Sequence, residues 1–253
     1  MKSDFSKEII DFIRELGVDE SALPISLHLQ LHSISKPGRV TVFRFGKGAQ
    51  HALHIWEDQW LVKQEIVQAR LRSLLGLSRR LHARNMHVKR IDKPIAAAFL
   101  DTYHLQGSTG AYYKIGMFAG EELIAVATFS KARIMQNKVV PYRSYEWERF
   151  ATAGDLAIRG GLAKLLAFFI AEVHPAHVMT YIDKDWSTGQ GFKAVGFVAE
   201  TEIPPRTYWI KAGEWIRFDE NRLPKGLENP LDAGYTSIQN SGSIRMVLHL
   251  NTP

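Results

Sequence analysis

The chain has 253 residues, 45% of them hydrophobic and 11% aromatic, enough for one large domain or a medium domain with an appendage. Cysteine is absent, which excludes disulfides and thiolate metal sites and calls for no oxidising compartment. The net charge of +6 suits an anionic partner.

Residues 1–8 run straight into an amphipathic segment, so no signal peptide is read and the expected location is the cytoplasm. Residues 7–17 place apolar side chains at helical spacing and stop at Gly17. Residues 39–45 alternate like a half-buried strand, 46–48 form a turn, and 50–56 are the hairpin partner. One helix is expected from Glu57 to Leu75, ended by residues 76–78. A strand over 87–91 leads to a helix that Asp92 caps and His104 closes, with Pro94 in its first turn. The clearest hairpin joins 110–118 to 123–129. A strand over 142–150 follows, then an apolar helix read within Leu156 to Val173. That helix carries Arg159 and Lys164 and is too interrupted to span a bilayer. Strands at 177–183, 196–200 and 207–210 enclose a short helix near 188–195.

This order predicts an α/β (α+β) domain with a mixed central sheet flanked by helices, without the Gly-x-Gly-x-x-Gly of a dinucleotide fold. The expected division is an N-terminal α/β segment at 1–85, the layered domain at 86–218, and an irregular tail at 219–253.

Two stretches carry chemistry. Arg159-Gly160-Gly161 opens a helix whose first N–H groups lack intrahelical partners, a plausible pyrophosphate seat, although a glycine pair at a helix start also serves plain backbone geometry. Residues 66–91 hold seven basic side chains (Arg70, Arg72, Arg79, Arg80, Arg84, Lys89 and Arg90) and no acidic one. They read either as a solvated face or as a phosphate-contacting, nucleic-acid-binding surface.

The element order and the glycine-containing helix start resemble the GNAT family of N-acetyltransferases. Phe192-Lys-Ala-Val-Gly-Phe197 is similar to that family's Tyr-x-x-x-Gly-Phe, with Phe192 where a tyrosine often acts as general acid. His104-Leu-Gln-Gly107, Glu146-Trp-Glu-Arg-Phe150, residues 160–165 and residues 181–189 resemble a GNAT-like module of phage proteins associated with homing endonucleases. A more distant likeness is to the phage Mu DNA-modification protein Mom. Residues 55–84 resemble the end of a nuclease segment whose acidic catalytic part is missing: between the first helix and residue 50 only Asp19, Glu20, His28 and His32 occur, without metal-ligand spacing.

The resemblance implies acetyl-CoA or another acyl-CoA as cofactor, held at Phe150, Arg159, Gly160, Gly161, Ala163 and Lys164. It implies a catalytic group of His104, Glu146, Arg149 and Asp183. DNA is a further expected partner, through Arg70, Arg72, Arg79, Arg80 and Arg84. Alternation places Glu146 and Glu148 on one strand face and Arg149 on the other with Tyr145 and Trp147. Arg149 and Asp183 are expected to approach each other, as an ion pair or as catalytic groups. His104 reads as a helix-end histidine or a catalytic one. Ser187 is read as the cap of the next helix. Tyr112, Tyr113, Tyr142 and Tyr145 read as sheet packing rather than a base-stacking platform. Two functions follow: an acyltransferase, or a non-catalytic nucleic-acid-binding module derived from a phage endonuclease.

Overall fold

A computed structural model describes residues 5–17, 25–30, 38–46, 49–136, 141–211, 213–227 and 229–250. Helix α1 (Phe5–Glu15) is followed by strands β1 (Ile25–Gln30), β2 (Arg39–Gly46) and β3 (Ala49–Trp56), and helices α2 (Glu57–Val62) and α3 (Gln64–Leu74). Next come β4 (Arg79–His82), β5 (His87–Arg90), α4 (Lys93–Tyr103), β6 (Tyr113–Ala119), β7 (Glu122–Phe129), β8 (Arg133–Met135) and β9 (Tyr142–Thr152). Then follow β10 (Leu156–Arg159), α5 (Gly161–Val173), β11 (His177–Asp183), α6 (Gln190–Lys193) and β12 (Val198–Ile203). The last strands are β13 (Thr207–Lys211), β14 (Arg217–Asp219), β15 (Tyr235–Gln239) and β16 (Ser243–His249).

These elements form two units that interleave in sequence. One comprises 1–67, 183–188 and 203–243, and the other 68–182, 189–202 and 244–253. The second unit holds the main sheet, in the order β12-β16-β11-β9-β7-β6-β5, with β8 also on β9. β5, β6, β7 and β9 pair antiparallel, whereas β9 and β11 pair parallel, so the sheet is mixed as the sequence order predicts. Helix α4 covers one face, where Ala96, Phe99 and Leu100 pack on Val126 and Ala151. Helix α5 covers the other, where Leu165, Leu166 and Phe169 pack with Ile115, Met117, Phe129 and Trp147. The rings of Phe129 and Phe169 stack with centroids 3.8 Å apart, and both are fully buried. Each such ring contributes about 1.5–3 kcal/mol by leaving water. Tyr113 and Tyr145 meet Phe169 edge-on, in a packing role.

The first unit contains the meander β1-β2-β3 and the sheet β14-β13-β15. β2 and β3 pair from Arg39↔Trp56 to Gly46↔Ala49, the expected hairpin. Trp56 packs with Ile210 and Ile238, and its indole N–H donates to the fully buried Asp185 carboxylate at 3.0 Å. Buried Asp58 accepts two hydrogen bonds from Arg217, at 2.7 and 2.8 Å. The turn residues 47–48, and Asp19, Glu20 and His32, lie outside the described residues.

Three sequence expectations are corrected. The helix expected over 57–75 breaks at Lys63, whose φ of −132° and ψ of 38° are non-helical. Residues 156–159 are not the start of a helix; they form β10, drawn into parallel pairing with β4. Residues 219–253 are not irregular throughout, because β15 pairs with β13 and β16 enters the main sheet. Their polar spacers masked the short apolar runs around Ile238 and Met246, both buried.

Candidate active site

β9 and β11 pair only at Ser144↔His177, Tyr145↔Val178 and Glu146↔Met179. Past that point both strands continue without pairing, and the Thr180 hydroxyl donates to Trp147 O at 3.0 Å instead. Two parallel strands that part leave a cleft between them. On the other edge of β9, Ala153 N–H bonds Ile124 O of β7. Successive N–H groups point to opposite edges of a strand, so Phe150 N–H points to the edge from which β11 has departed.

A β-bulge lies at the same place. Arg149 opposes Thr128 and Trp147 opposes Phe129, which leaves Glu148 as the extra residue. This bulge corrects the expected faces. Trp147 stays with Tyr145 on the α5 side, but Arg149 joins Ala151 on the α4 side. There Arg149 Nε donates to Gly107 O at 3.2 Å, in the loop after α4, and an NH1 proton goes to Glu148 O at 2.8 Å. The Glu148 carboxylate accepts the Thr109 hydroxyl at 2.6 Å. Neither this pair nor the bulge was foreseen, since an extra strand residue leaves no mark on an apolar pattern.

His104 is the residue just past α4. Its Nδ1 accepts Gln106 N–H at 3.1 Å, so the ring is neutral with its proton on Nε2. Burial, then Arg70 and then Arg149, depress its pKa to about 3. Such a ring is a weak proton acceptor at neutral pH, whatever its position. Glu146 is the opposite case. Burial raises its carboxyl above the ordinary value, Arg133 at 3.4 Å opposes this, and Glu148 adds to the rise. A half-buried carboxylate moved toward neutrality is the better proton acceptor of the two.

Helix α5 starts where sequence placed the phosphate seat. Gly160 precedes it with φ of +76°, a left-handed conformation that explains the glycine, while a Cβ there would meet nothing nearer than the Ala83 Cβ at 3.9 Å. At Gly161 a Cβ would strike Ile158 at 3.0 Å, so local packing accounts for the second glycine. An open groove of about 520 Å³ adjoins this helix start, lined by His82, Ala83, Arg84, Arg159, Gly160, Ala163 and Lys164. The Lys164 ammonium donates to Ala83 O at 2.9 Å and also to Met86 O, fastening that turn to α5. Arg84 and Arg159 are exposed at the groove. Arg84, expected to serve nucleic acid, therefore shares a groove with residues expected to serve the cofactor.

Asp183 ends β11, and its carboxylate accepts Asp185 N–H at 3.0 Å, the geometry of a turn-capping aspartate. Helix α6 is preceded by Gly189, not capped by Ser187, whose N–H bonds Asp183 O. Phe192 packs edge-on against Trp147 and Phe197, at 5.2 and 5.3 Å, and offers no hydroxyl. Among the described residues no group of three His, Asp or Glu side chains is placed to hold a metal ion, and no helix is long and apolar enough to cross a membrane.

No protein-family model matches the chain, and no curated protein does. Solved structures do. The NatC complex bound to Gag peptide and CoA matches at 10% identity and a TM-score of 0.39, over 66% of this chain and 99% of that one. The histone acetyltransferase HPA2 and related acetyltransferase from Corynebacterium glutamicum matches at 12% and 0.40, over 67% and 98%. Eis1 from Mycobacterium abscessus matches at 15% and 0.36, over 50% of this chain and 34% of that one. These overlays are loose, and the chemistry of the site rests on the chain's own geometry.

Proposed function

We propose that this chain is a GNAT-like N-acyltransferase that uses acetyl-CoA or another acyl-CoA. The observations that carry this reading are the parting of β9 and β11 beyond Glu146 and the open cationic groove at the start of α5. The groove fits a pyrophosphate: α5 offers unpaired N–H groups and a dipole over thirteen residues, and Arg159 and Arg84 add charge. Lys164 contributes by holding the Ala83–Met86 turn rather than as a free cation.

Acyl-CoA, when bound, would supply an activated thioester. Phe150 N–H is a fixed donor for a carbonyl oxygen, the kind of preorganised dipole that stabilises developing negative charge. Glu146 would take the proton from an incoming amine. Arg149 and His104 would hold the Gly107 loop, with His104 neutral throughout. The resemblance to the phage module and to Mom supports a nucleobase amine in DNA as acceptor, and a cytoplasmic location is in keeping with a cysteine-free chain.

Calorimetric titration with acetyl-CoA tests the reading. Binding should be measurable and should weaken about tenfold or more in Arg159→Glu, since one buried or charge-assisted phosphate contact is worth about 1.5–3 kcal/mol. A folded protein that gives no heat and no thermal shift with acetyl-CoA would sink it.

A further inference from the structure

β4 and β10 form a two-stranded parallel ribbon with Arg80 opposite Ala157 and Arg159 opposite His82. Opposed residues share a face, and residues two apart along a strand share it too, so Arg80, His82 and Arg159 stand on one side. The other side carries Arg79 at the ribbon's end together with Leu81, Leu156 and Ile158, and these three apolar residues pack into the main core. The outward face is therefore cationic, and Arg84 follows it within two residues. Arg80, Arg84 and Arg159 are exposed, and among the described residues none of the three has a carboxylate partner. Basic residues nearby are engaged instead: Arg90 pairs with Glu172, and Lys89 lies over the Phe118 ring at 4.5 Å.

Arg84, His82 and Arg159 line the groove at α5, whereas Arg80, on the same face, lies beyond its lining. Positive charge thus runs past the space that one small anion would fill. A chain of phosphates uses the whole run.

We propose that the β4–β10 ribbon is a docking track for a phosphodiester backbone that shares Arg84 and Arg159 with the cofactor groove, so that nucleic acid and acyl-CoA exclude each other. The exclusion rests on the acyl-CoA reading of the groove. A nucleic-acid strand lying on this track is then a competitor of the cofactor, and a nucleobase acceptor must approach the β9–β11 cleft by another route.

The test is fluorescence anisotropy of a labelled duplex of about 20 base pairs, with CoA added at constant ionic strength, alongside calorimetry of CoA alone. CoA should displace the duplex. Duplex affinity should fall about 40-fold on a fourfold rise in salt, as some three phosphate contacts require. Arg80→Glu should cut duplex affinity about tenfold or more, and CoA affinity less than Arg159→Glu does. A duplex that does not bind, that ignores salt, or that binds together with CoA at undiminished affinity overturns the track or the exclusion and leaves the acyltransferase standing. Duplex binding without any CoA binding removes the acyltransferase and the exclusion with it.

Discussion

His104 makes stability depend on pH in a way that is separable from every carboxylate in the chain. Its folded pKa is depressed to about 3, by burial first and then by Arg70 and Arg149, against 6.5 for the free side chain. Between those values the unfolded chain binds the proton and the folded chain refuses it. Stability is therefore whole above the unfolded pKa and is lost as pH falls toward the folded one. At about pH 5, some 1.5 units below the ordinary value, the loss is about 2 kcal/mol at 1.36 kcal/mol per unit. His104→Asn keeps an acceptor for Gln106 N–H and removes the titration. The assay is urea unfolding of both proteins at about pH 7 and pH 5, read as a difference of differences, so that carboxylates common to both cancel. The variant should gain about 2 kcal/mol on the original protein over that interval. A gap that stays constant within about 0.5 kcal/mol would mean that His104 titrates as a solvated histidine, and the burial argument would fall.

Glu146→Gln should slow acyl transfer by about 10²–10⁴-fold at neutral pH and abolish an acidic limb whose midpoint lies above 4.5; an unchanged pH profile would remove Glu146 from proton transfer. Phe169→Ala, at the stacked centre of the α5 face, should cost about 3–5 kcal/mol in urea unfolding, and a loss near zero would place that ring outside the core. Asp58→Ala strands Arg217 against Trp56 and Tyr208 and should cost about 3–5 kcal/mol. Replacing Asp58 and Arg217 together with apolar residues should recover much of that loss in the same assay.

Elements with a strong period were legible. The hairpins β2–β3 and β6–β7, and the helices α4 and α5, declare themselves through local alternation, apolar spacing and glycine, although the Asp92 side chain makes no capping hydrogen bond at α4. What escaped was nonlocal or made by backbone. Glu148 is the bulge residue only because Thr128 and Phe129 pair around it. The β4–β10 ribbon joins two four-residue strands, each too short for a period to emerge. Lys164 reads as a phosphate ligand beside Gly160 and Gly161, yet its partners are carbonyls some eighty positions upstream. The glycine pair at the start of α5 has reasons that the sequence does not show, since Gly160 answers to a positive φ and Gly161 to Ile158.

The place of β16 in the main sheet has a consequence for how the chain is made. β16 lies between β11 and β12, but it is translated some sixty residues after β11. At about 5–20 residues per second, β11 waits roughly 3–12 s for its neighbour. During that interval its open edge, with Val178 and Ile182 beside it, is a template for any other extended chain. Synthesis on crowded polysomes thus sets nascent chains in competition with β16 for the same strand. Slower translation through the segment before residue 243 would lengthen the exposure and favour aggregation over closure.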